Sequence, residues 1–332
     1  GGQAFYPRFG SEYPDIYDNI SKQLRNQYSI AFSPTNLKKD GKFHKLRIEV
    51  PDLDLNKDGS GSMTAVAIQG EAGSFSHTAA LDTHGPAIQL VPCATFEDLF
   101  AAVATGVASR GVVPIENTLA GSVHENYDLL SAHELHVVAE TQVWIHHCLI
   151  VRPGTDLFDV RRVASHPVAL AQCRRFFATH PELVAVPSYD TAGSVRNLIA
   201  GSENADAAIA SALAAELYGG EVLAEGLEDH AENYTRFLVV AREPVPTDGA
   251  TKISLVFTLP NTPGSLHRAL TVFAERGLNL TKIESRPIPG RPWEYLFYLD
   301  VMGDVPDESE DALNELRGFA PVLRVLGVYP GR

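Results

Sequence analysis

The stretch Glu228-Asp229-His230-Ala231-Glu232-Asn233-Tyr234-Thr235-Arg236-Phe237-Leu238-Val239-Val240 sets polar side chains directly before an apolar, β-branched run. A strand of that pattern carries Asn233, Thr235 and Arg236 to a rim, and Phe237 to Val240 anchor the rim in the core. Small-molecule sites are commonly built this way; the plain alternative is a polar turn before a buried strand. Upstream, strands and helices alternate. Residues 65–69, 87–91, 110–114 and 136–145 read as strands, with helices over 75–83, 95–106 and 122–131. The pattern repeats with strands over 162–165, 184–186 and 207–209 and helices over 169–180 and 192–200. Alternation of this kind predicts α/β architecture, with parallel or mixed sheets flanked by helices. Two such blocks, with the chain returning at 237–240, predict two lobes and a cleft. Downstream of a linker at Pro244, Pro246 and Asp248-Gly249, residues 252–259, 263–276, 279–288, 295–301, 308–318 and 322–329 read as βαββαβ. That order is a ferredoxin-like unit of about 80 residues.

The opening stretch resembles the Thr-Arg-Phe motif of prephenate dehydratases. Four further stretches match that family in order: Gly70 to His77, Pro114 to Val123, Ser165 to Cys173, and Asp190-Thr191-Ala192. Glu284-Ser285-Arg286-Pro287 resembles the phenylalanine-sensing signature of the ACT domain that follows the catalytic domain in this family. The resemblance runs from about Thr64 to the C-terminus. It implies a two-lobed catalytic domain over 63–243, shaped like a type-II periplasmic binding protein, and an ACT domain over 250–332. It further implies a homodimer or homotetramer that needs no cofactor, takes prephenate as substrate and responds to phenylalanine. Arogenate dehydratase is the alternative within enzymes. A non-catalytic two-lobed protein that senses amino acids is the alternative from another class.

Composition agrees with a soluble globular protein. The chain has 332 residues, is 45% hydrophobic and carries a net charge of −14. Excess acid argues against nucleic-acid or anionic-membrane partners, because counterion release needs clustered Lys and Arg. An anionic substrate must therefore be caught by local donors. Cys93, Cys148 and Cys173 lack metal-like spacing and lie near apolar runs, so they read as buried thiols and suit a cytoplasmic setting. No apolar run approaches the ~18 residues of a membrane span, and no signal pattern opens the sequence.

A seam lies near residue 60. Asp58-Gly59-Ser60-Gly61-Ser62 reads as a flexible linker, and Met63 after it looks like an initiator, so residues 1–57 look like a fused segment. That segment resembles the C-terminal end of a von Willebrand factor A-like domain, without the family's metal-binding motif. Asp54, Asn56, Asp58 and Gly59 echo the start of an EF-hand loop, but Ala65 stands where the bidentate Glu belongs. A solvated linker is the better reading, and no metal is expected.

If prephenate is the substrate, it loses a ring carboxylate as CO₂ and a ring hydroxyl as water. Aromatisation drives the loss, so a well-placed hydrogen-bond donor suffices. Thr235 is the candidate donor. Arg236 suits a carboxylate clamp, or else a salt bridge behind the site, since alternation turns Thr235 and Arg236 opposite ways unless the backbone bulges. Phe237 reads as packing against the site. Asn117, Thr118, Gly121 and Ser122 fall between a strand ending near Ile115 and a helix starting near Ser122, where free helix N–H groups form an anion cradle. Glu116 reads as a structural partner. Ser165 and His166 sit where a strand meets a helix; His166 reads either as an acid or as a helix cap. The family commonly has Gln where Val168 stands. Asp190 reads as a cap, and Thr191 as a cap or a substrate contact.

The regulatory reading pairs two stretches. Asn261, Pro263, Gly264, Ser265 and Leu266 turn from a strand into a helix whose free N–H groups suit an amino acid's carboxylate. Glu284, Ser285, Arg286 and Pro287 are expected to supply acceptors for its ammonium.

Overall fold

The computed structural model describes residues 63–244, 249–288, 290–303 and 307–331. The von Willebrand factor A-like segment, the Gly/Ser linker and the EF-hand-like loop lie outside the described residues. The described residues within 65–83 and 90–331 belong to one compact unit.

The first lobe runs through β1 (Thr64–Gln69), α1 (Phe75–His84), β2 (Ile88–Cys93), α2 (Phe96–Thr105), β3 (Arg110–Asn117), β4 (Gly121–Ser122), α3 (His124–Ala132) and β5 (His136–Trp144). Local chemistry sets these ends. At α2, Thr95 accepts from Asp98 N while the Asp98 carboxylate takes the Thr95 N–H, and Gly106 closes the helix in the left-handed region.

The second lobe runs through β6 (Cys148–Val151), β7 (Arg162–Ser165), α4 (Pro167–Gln172), α5 (Arg174–Thr179), β8 (Val184–Pro187), α6 (Thr191–Ile199), β9 (Ala207–Ala210), α7 (Ala212–Tyr218) and β10 (Glu221–Glu225). The single helix expected over 169–180 is two helices broken at Cys173. Asp229, arriving from far along the chain, causes the break: its N–H donates to Gln172 O at 2.7 Å, and its carboxylate accepts Arg175 N at 2.8 Å. A carbonyl and an amide that would bond within one helix are thus satisfied across the fold.

The chain then returns as β11 (Tyr234–Ala241), inserted antiparallel between β3 and β5, so the first sheet reads β2-β1-β3-β11-β5, with β4 paired to β3. The second sheet reads β10-β6-β9-β7-β8. The last unit comprises β12 (Lys252–Thr258), α8 (Ser265–Ala274), β13 (Asn279–Pro287), β14 (Tyr295–Met302), α9 (Asp307–Arg317) and β15 (Leu323–Tyr329), in sheet order β13-β14-β12-β15. The fold is therefore α/β in two lobes plus a ferredoxin-like βαββαβ unit, as the alternation implies.

One face of the last sheet packs on its own helices: Leu255, Phe257 and Leu299 bury with Phe273 and Leu316. Its other face joins the first lobe, where Val256, Tyr298, Leu326 and Tyr329 share a core with Phe100, Leu130 and Leu238. At Gly327 the contact is backbone to backbone. A Cβ built there would lie 2.0 Å from Val137 O, so Gly327→Ala is expected to destabilise the fold by about 1–3 kcal/mol or more in chemical denaturation.

Cys93, Cys148 and Cys173 are free and buried. Burial pushes the thiol of Cys148 up to about 11 and that of Cys173 up to about 12, which keeps both unreactive. Among the described residues no helix is long and apolar enough to cross a membrane.

Candidate functional site

Strand β11 sets Thr235 opposite Asn117 of β3 on one side and Val143 of β5 on the other. The Asn117 carboxamide is fixed by the turn that follows it, since its Oδ1 accepts Leu119 N at 3.0 Å and Ala120 N at 2.8 Å. Its Nδ2 must then face the returning strand. It donates to Asn233 Oδ1 at 2.7 Å, Tyr234 O at 3.1 Å and Thr235 Oγ1 at 3.0 Å. Thr235 is left with its own hydroxyl proton, for which the described residues provide no acceptor. A hydroxyl that already accepts a hydrogen bond is a stronger donor, so this one is poised for a leaving oxygen.

Two residues that sequence reasoning did not single out complete the cluster. Gln172, at the end of α4, approaches Asn117 Oδ1 with Nε2 at 3.5 Å, and His147 Nε2 lies 2.9 Å from Gln172 Oε1. Gln172 belongs to the Ser165-to-Cys173 motif, which is a local signal. His147 gives none, because it acts from the segment where β5 crosses to β6. There its N–H donates to Glu228 Oε2 at 2.8 Å, and His146 Nδ1 meets Glu228 Oε1 at 3.0 Å. Burial lowers the pKa of His147 and keeps it neutral.

The anion cradle takes a different form from the one expected. Strand β3 continues to Asn117, and Gly121–Ser122 pairs back on it, so the helix begins at His124. The Thr118 hydroxyl donates to Glu232 O and accepts Tyr234 N at 3.0 Å, clasping the returning segment. Ser122 donates to Glu284 Oε2 at 2.6 Å and accepts Lys282 Nζ at 2.9 Å. Gly121 adopts φ 83° in open space. Glu116 is a structural partner, paired with Lys282 at 2.9 Å. In the second lobe the buried Ser165 hydroxyl donates to Ile209 O at 2.6 Å, and His166 caps α4 by accepting Val168 N. Thr191 opens α6 behind the cap Asp190. Phe237 is 2% exposed and packs in the core.

Arg236 points away from Thr235. The bulge on β11 falls between Arg236 and Phe237, one step too late to bring the two side chains together. The guanidinium instead bonds Glu140 Oε2 at 2.7 Å, Asp300 Oδ2 at 2.5 Å and Tyr329 Oη at 3.2 Å, and Lys252 completes the group on Glu140. The salt-bridge reading of Arg236 is thus the one the structure favours, because its largely buried guanidinium is engaged by Glu140, Asp300 and Tyr329.

The Gly70–Ser74 loop ties the lobes. Its Gly73 O accepts from Ser211 Oγ, its Ala72 O from Tyr218 Oη, and its Glu71 pairs with Arg196 at 2.8 Å. A Cβ at Gly73 would meet Ala214 at 2.8 Å, so only glycine permits this approach.

In the last unit, Asn261, Ser265 and Leu266 line a cavity of about 100 Å³ with Trp293, Tyr295 and Phe297. Gly264 precedes α8 at φ 85°. Ser285 pairs with Phe297 and shares its face, and Pro287 pairs with Tyr295. Glu284 and Arg286 differ from expectation. They point to the first lobe, Glu284 toward Ser122 and His124, and Arg286 onto Asp128 at 2.7 Å. Alternation along β13 accounts for the split.

Comparison with known proteins adds independent support. A family model for prephenate dehydratase matches residues 66–245, and one for the ACT domain matches residues 253–318. The Arabidopsis thaliana protein named arogenate dehydratase/prephenate dehydratase 2, chloroplastic, is 44% identical over 283 residues, spanning 82% of this chain and 74% of that protein. A prephenate dehydratase from Arthrobacter aurescens, solved in complex with L-Phe, shares 34% identity with a TM-score of 0.74, over 81% of this chain and 90% of that one. A structure described as GqqA, a novel type of quorum quenching acylase, shares 37% identity with a TM-score of 0.73, over 81% and 98%. The Asn117–Thr235 pair thus sits within a match that covers more than half the sequence, and the chain belongs to the prephenate dehydratase family, with an ACT domain following its catalytic lobes.

Proposed function

We propose that this chain is a lyase that converts prephenate to phenylpyruvate by joint loss of the ring hydroxyl and ring carboxylate. The observation that carries the reading is the Thr235 hydroxyl, held as acceptor by Asn117 with its proton free. As the C–O bond breaks, that proton hydrogen-bonds the departing oxygen while the C–CO₂ electrons enter the ring. Aromatisation supplies the driving force, so partial proton donation is enough. Arogenate differs only in the side chain, where an amine replaces the keto group, and the naming of the Arabidopsis relative for both substrates makes arogenate the second reading. An acylase would need a base against its nucleophile; among the described residues Thr235 Oγ1 meets only the Asn117 amide. Purified protein incubated with each acid decides: phenylpyruvate from prephenate is expected, and inertness toward both would overturn the reading.

Phenylalanine is the proposed effector, seated in the cavity between the α8 N-terminus and the aromatic wall of Trp293, Tyr295 and Phe297. Gly264→Val should strain the left-handed position before α8, and Ser285→Ala should remove a polar group beside Phe297. Either change is expected to weaken the response to phenylalanine and leave unregulated turnover intact, checked by activity titration and calorimetry. Among the described residues no strand pairs with the outer edge of β13, which supports pairing of two copies into a homodimer or larger oligomer.

A further inference from the structure

We propose that His147 is a positioning residue for the dehydration, a role that rests on the function just given: its ring N–H holds the Gln172 amide so that Asn117 stays aimed at Thr235. The argument is one of hydrogen-bond polarity. Two backbone N–H groups, from Leu119 and Ala120, converge on Asn117 Oδ1 and leave its amide no freedom to flip. Gln172 approaches that same oxygen, so the atom it presents must be Nε2; a flipped Gln172 would set two carbonyl oxygens 3.5 Å apart. Its Oε1 therefore faces His147 and must accept. The proton of the neutral ring is thereby assigned to Nε2, and Nδ1 is left bare. Nδ1 is indeed buried with no partner among the described residues.

Both the ring and the backbone of His147 are held in place. Phe75 stands against the ring edge to face, with centroids 5.5 Å apart at 81°. The His147 backbone is pinned by Glu228 on the N–H and by Leu227 N on the carbonyl. These contacts lie where the chain crosses between the lobes. His147 thus transmits the setting of the crossing to the hydroxyl that does the chemistry, without touching substrate. Losing its donor lets the Gln172 amide turn its carbonyl onto Asn117 Oδ1, a repulsion that shifts the Asn117 side chain without flipping it. Asn117 keeps its backbone bonds, so the damage is to aim rather than to substrate capture, and misplacement of a reacting group by a fraction of an ångström to 1 Å costs about 10- to 10²-fold in rate.

The test has three arms. Nitrogen NMR of wild-type protein labelled at histidine should show His147 as the neutral Nε2–H form at pH 7; an Nδ1–H form or an imidazolium would overturn the proposal. His147→Phe should lower kcat by about 10- to 10²-fold with KM nearly unchanged, and His147→Gln, whose amide again offers an N–H, should recover much of the loss. Combined with Gln172→Met, His147→Phe should add little further loss, the non-additivity of one shared relay. Wild-type kcat in His147→Phe, equal losses in the Phe and Gln variants, or full additivity would each sink the idea. Should His147→Phe fail to fold, the tautomer and the Gln variant still decide. Absence of turnover on both dicarboxylates would reject the proposed function, and the NMR arm reports on the relay independently.

Discussion

Thr235→Ala is expected to slow turnover by about 10²-fold or more, the scale of lost acid assistance, with little change in substrate affinity. Thr235 is the one hydroxyl of its motif that receives the Asn117 amide and keeps a proton to give. Removing the hydroxyl deletes an interaction that strengthens only as negative charge builds on the departing oxygen, so kcat falls and KM does not. It also strands part of the Asn117 donor capacity, although Asn233 Oδ1 at 2.7 Å and Tyr234 O at 3.1 Å remain to hold that amide in place. The scaffold should therefore survive, and unchanged thermal unfolding would confirm it. Thr235→Ser keeps the hydroxyl and should retain much of the rate. Steady-state kinetics giving near-wild-type kcat for Thr235→Ala would remove Thr235 from the mechanism.

The largest loss of stability is expected from Asp300→Ala. Asp300 accepts Arg236 Nη1 on one oxygen and Ser254 Oγ on the other, both at 2.5 Å, deep between the first lobe and the last sheet. Burial works against the Arg236 charge, but Asp300, Tyr329 and Glu140 outweigh it and hold the guanidinium pKa above its usual value. The Glu140 side chain is fully buried beside Lys252, so the four charges balance in pairs. Deleting Asp300 leaves a cation in excess at a largely buried position. Breaking a buried pair in this way costs about 3–5 kcal/mol, to be measured by denaturant unfolding. A double variant that also replaces Arg236 by Met should lose less than the sum of the singles, because it removes the stranded charge. A loss under about 1 kcal/mol for Asp300→Ala, the value of an exposed pair, would show that the group is solvated.

Local periodicity carried most of the architecture. The alternation before residue 145 and the βαββαβ order after 252 match the observed elements closely, because most strands and helices there carry an apolar face of their own. Three short second-lobe elements, β6, α7 and β10, escaped, since four to seven residues scarcely display a period. Of the candidate site, sequence singled out Thr235 and Asn117 each from its own local motif, but not the hydrogen bond that joins them. The site was illegible where a hydroxyl's partner is distant in sequence. Nothing near Thr118 signals Glu232, nothing near Ser122 signals Glu284, and nothing near Cys173 signals that Asp229 will split the helix. Arg236 shows the opposite case. Simple strand alternation warned that it faces away from Thr235, and its partners lie at Glu140 and Asp300.

The insertion of β11 between β3 and β5 orders events during synthesis. Strands β5 and β11 are neighbours in the sheet, yet the entire second lobe is made between them. A chain emerging from the ribosome thus completes residues 148–225, a self-contained sheet with its helices, while the first lobe still has an open slot with two unpaired strand edges. Such edges are sticky until covered, and pairing of this sequence separation is slow. The strand bearing Thr235 fills the slot last among the catalytic elements. Assembly of the Asn117–Thr235 pair and closure of the first lobe are therefore a single event, so a nascent chain that has not yet released Tyr234 from the ribosome keeps an open slot between β3 and β5.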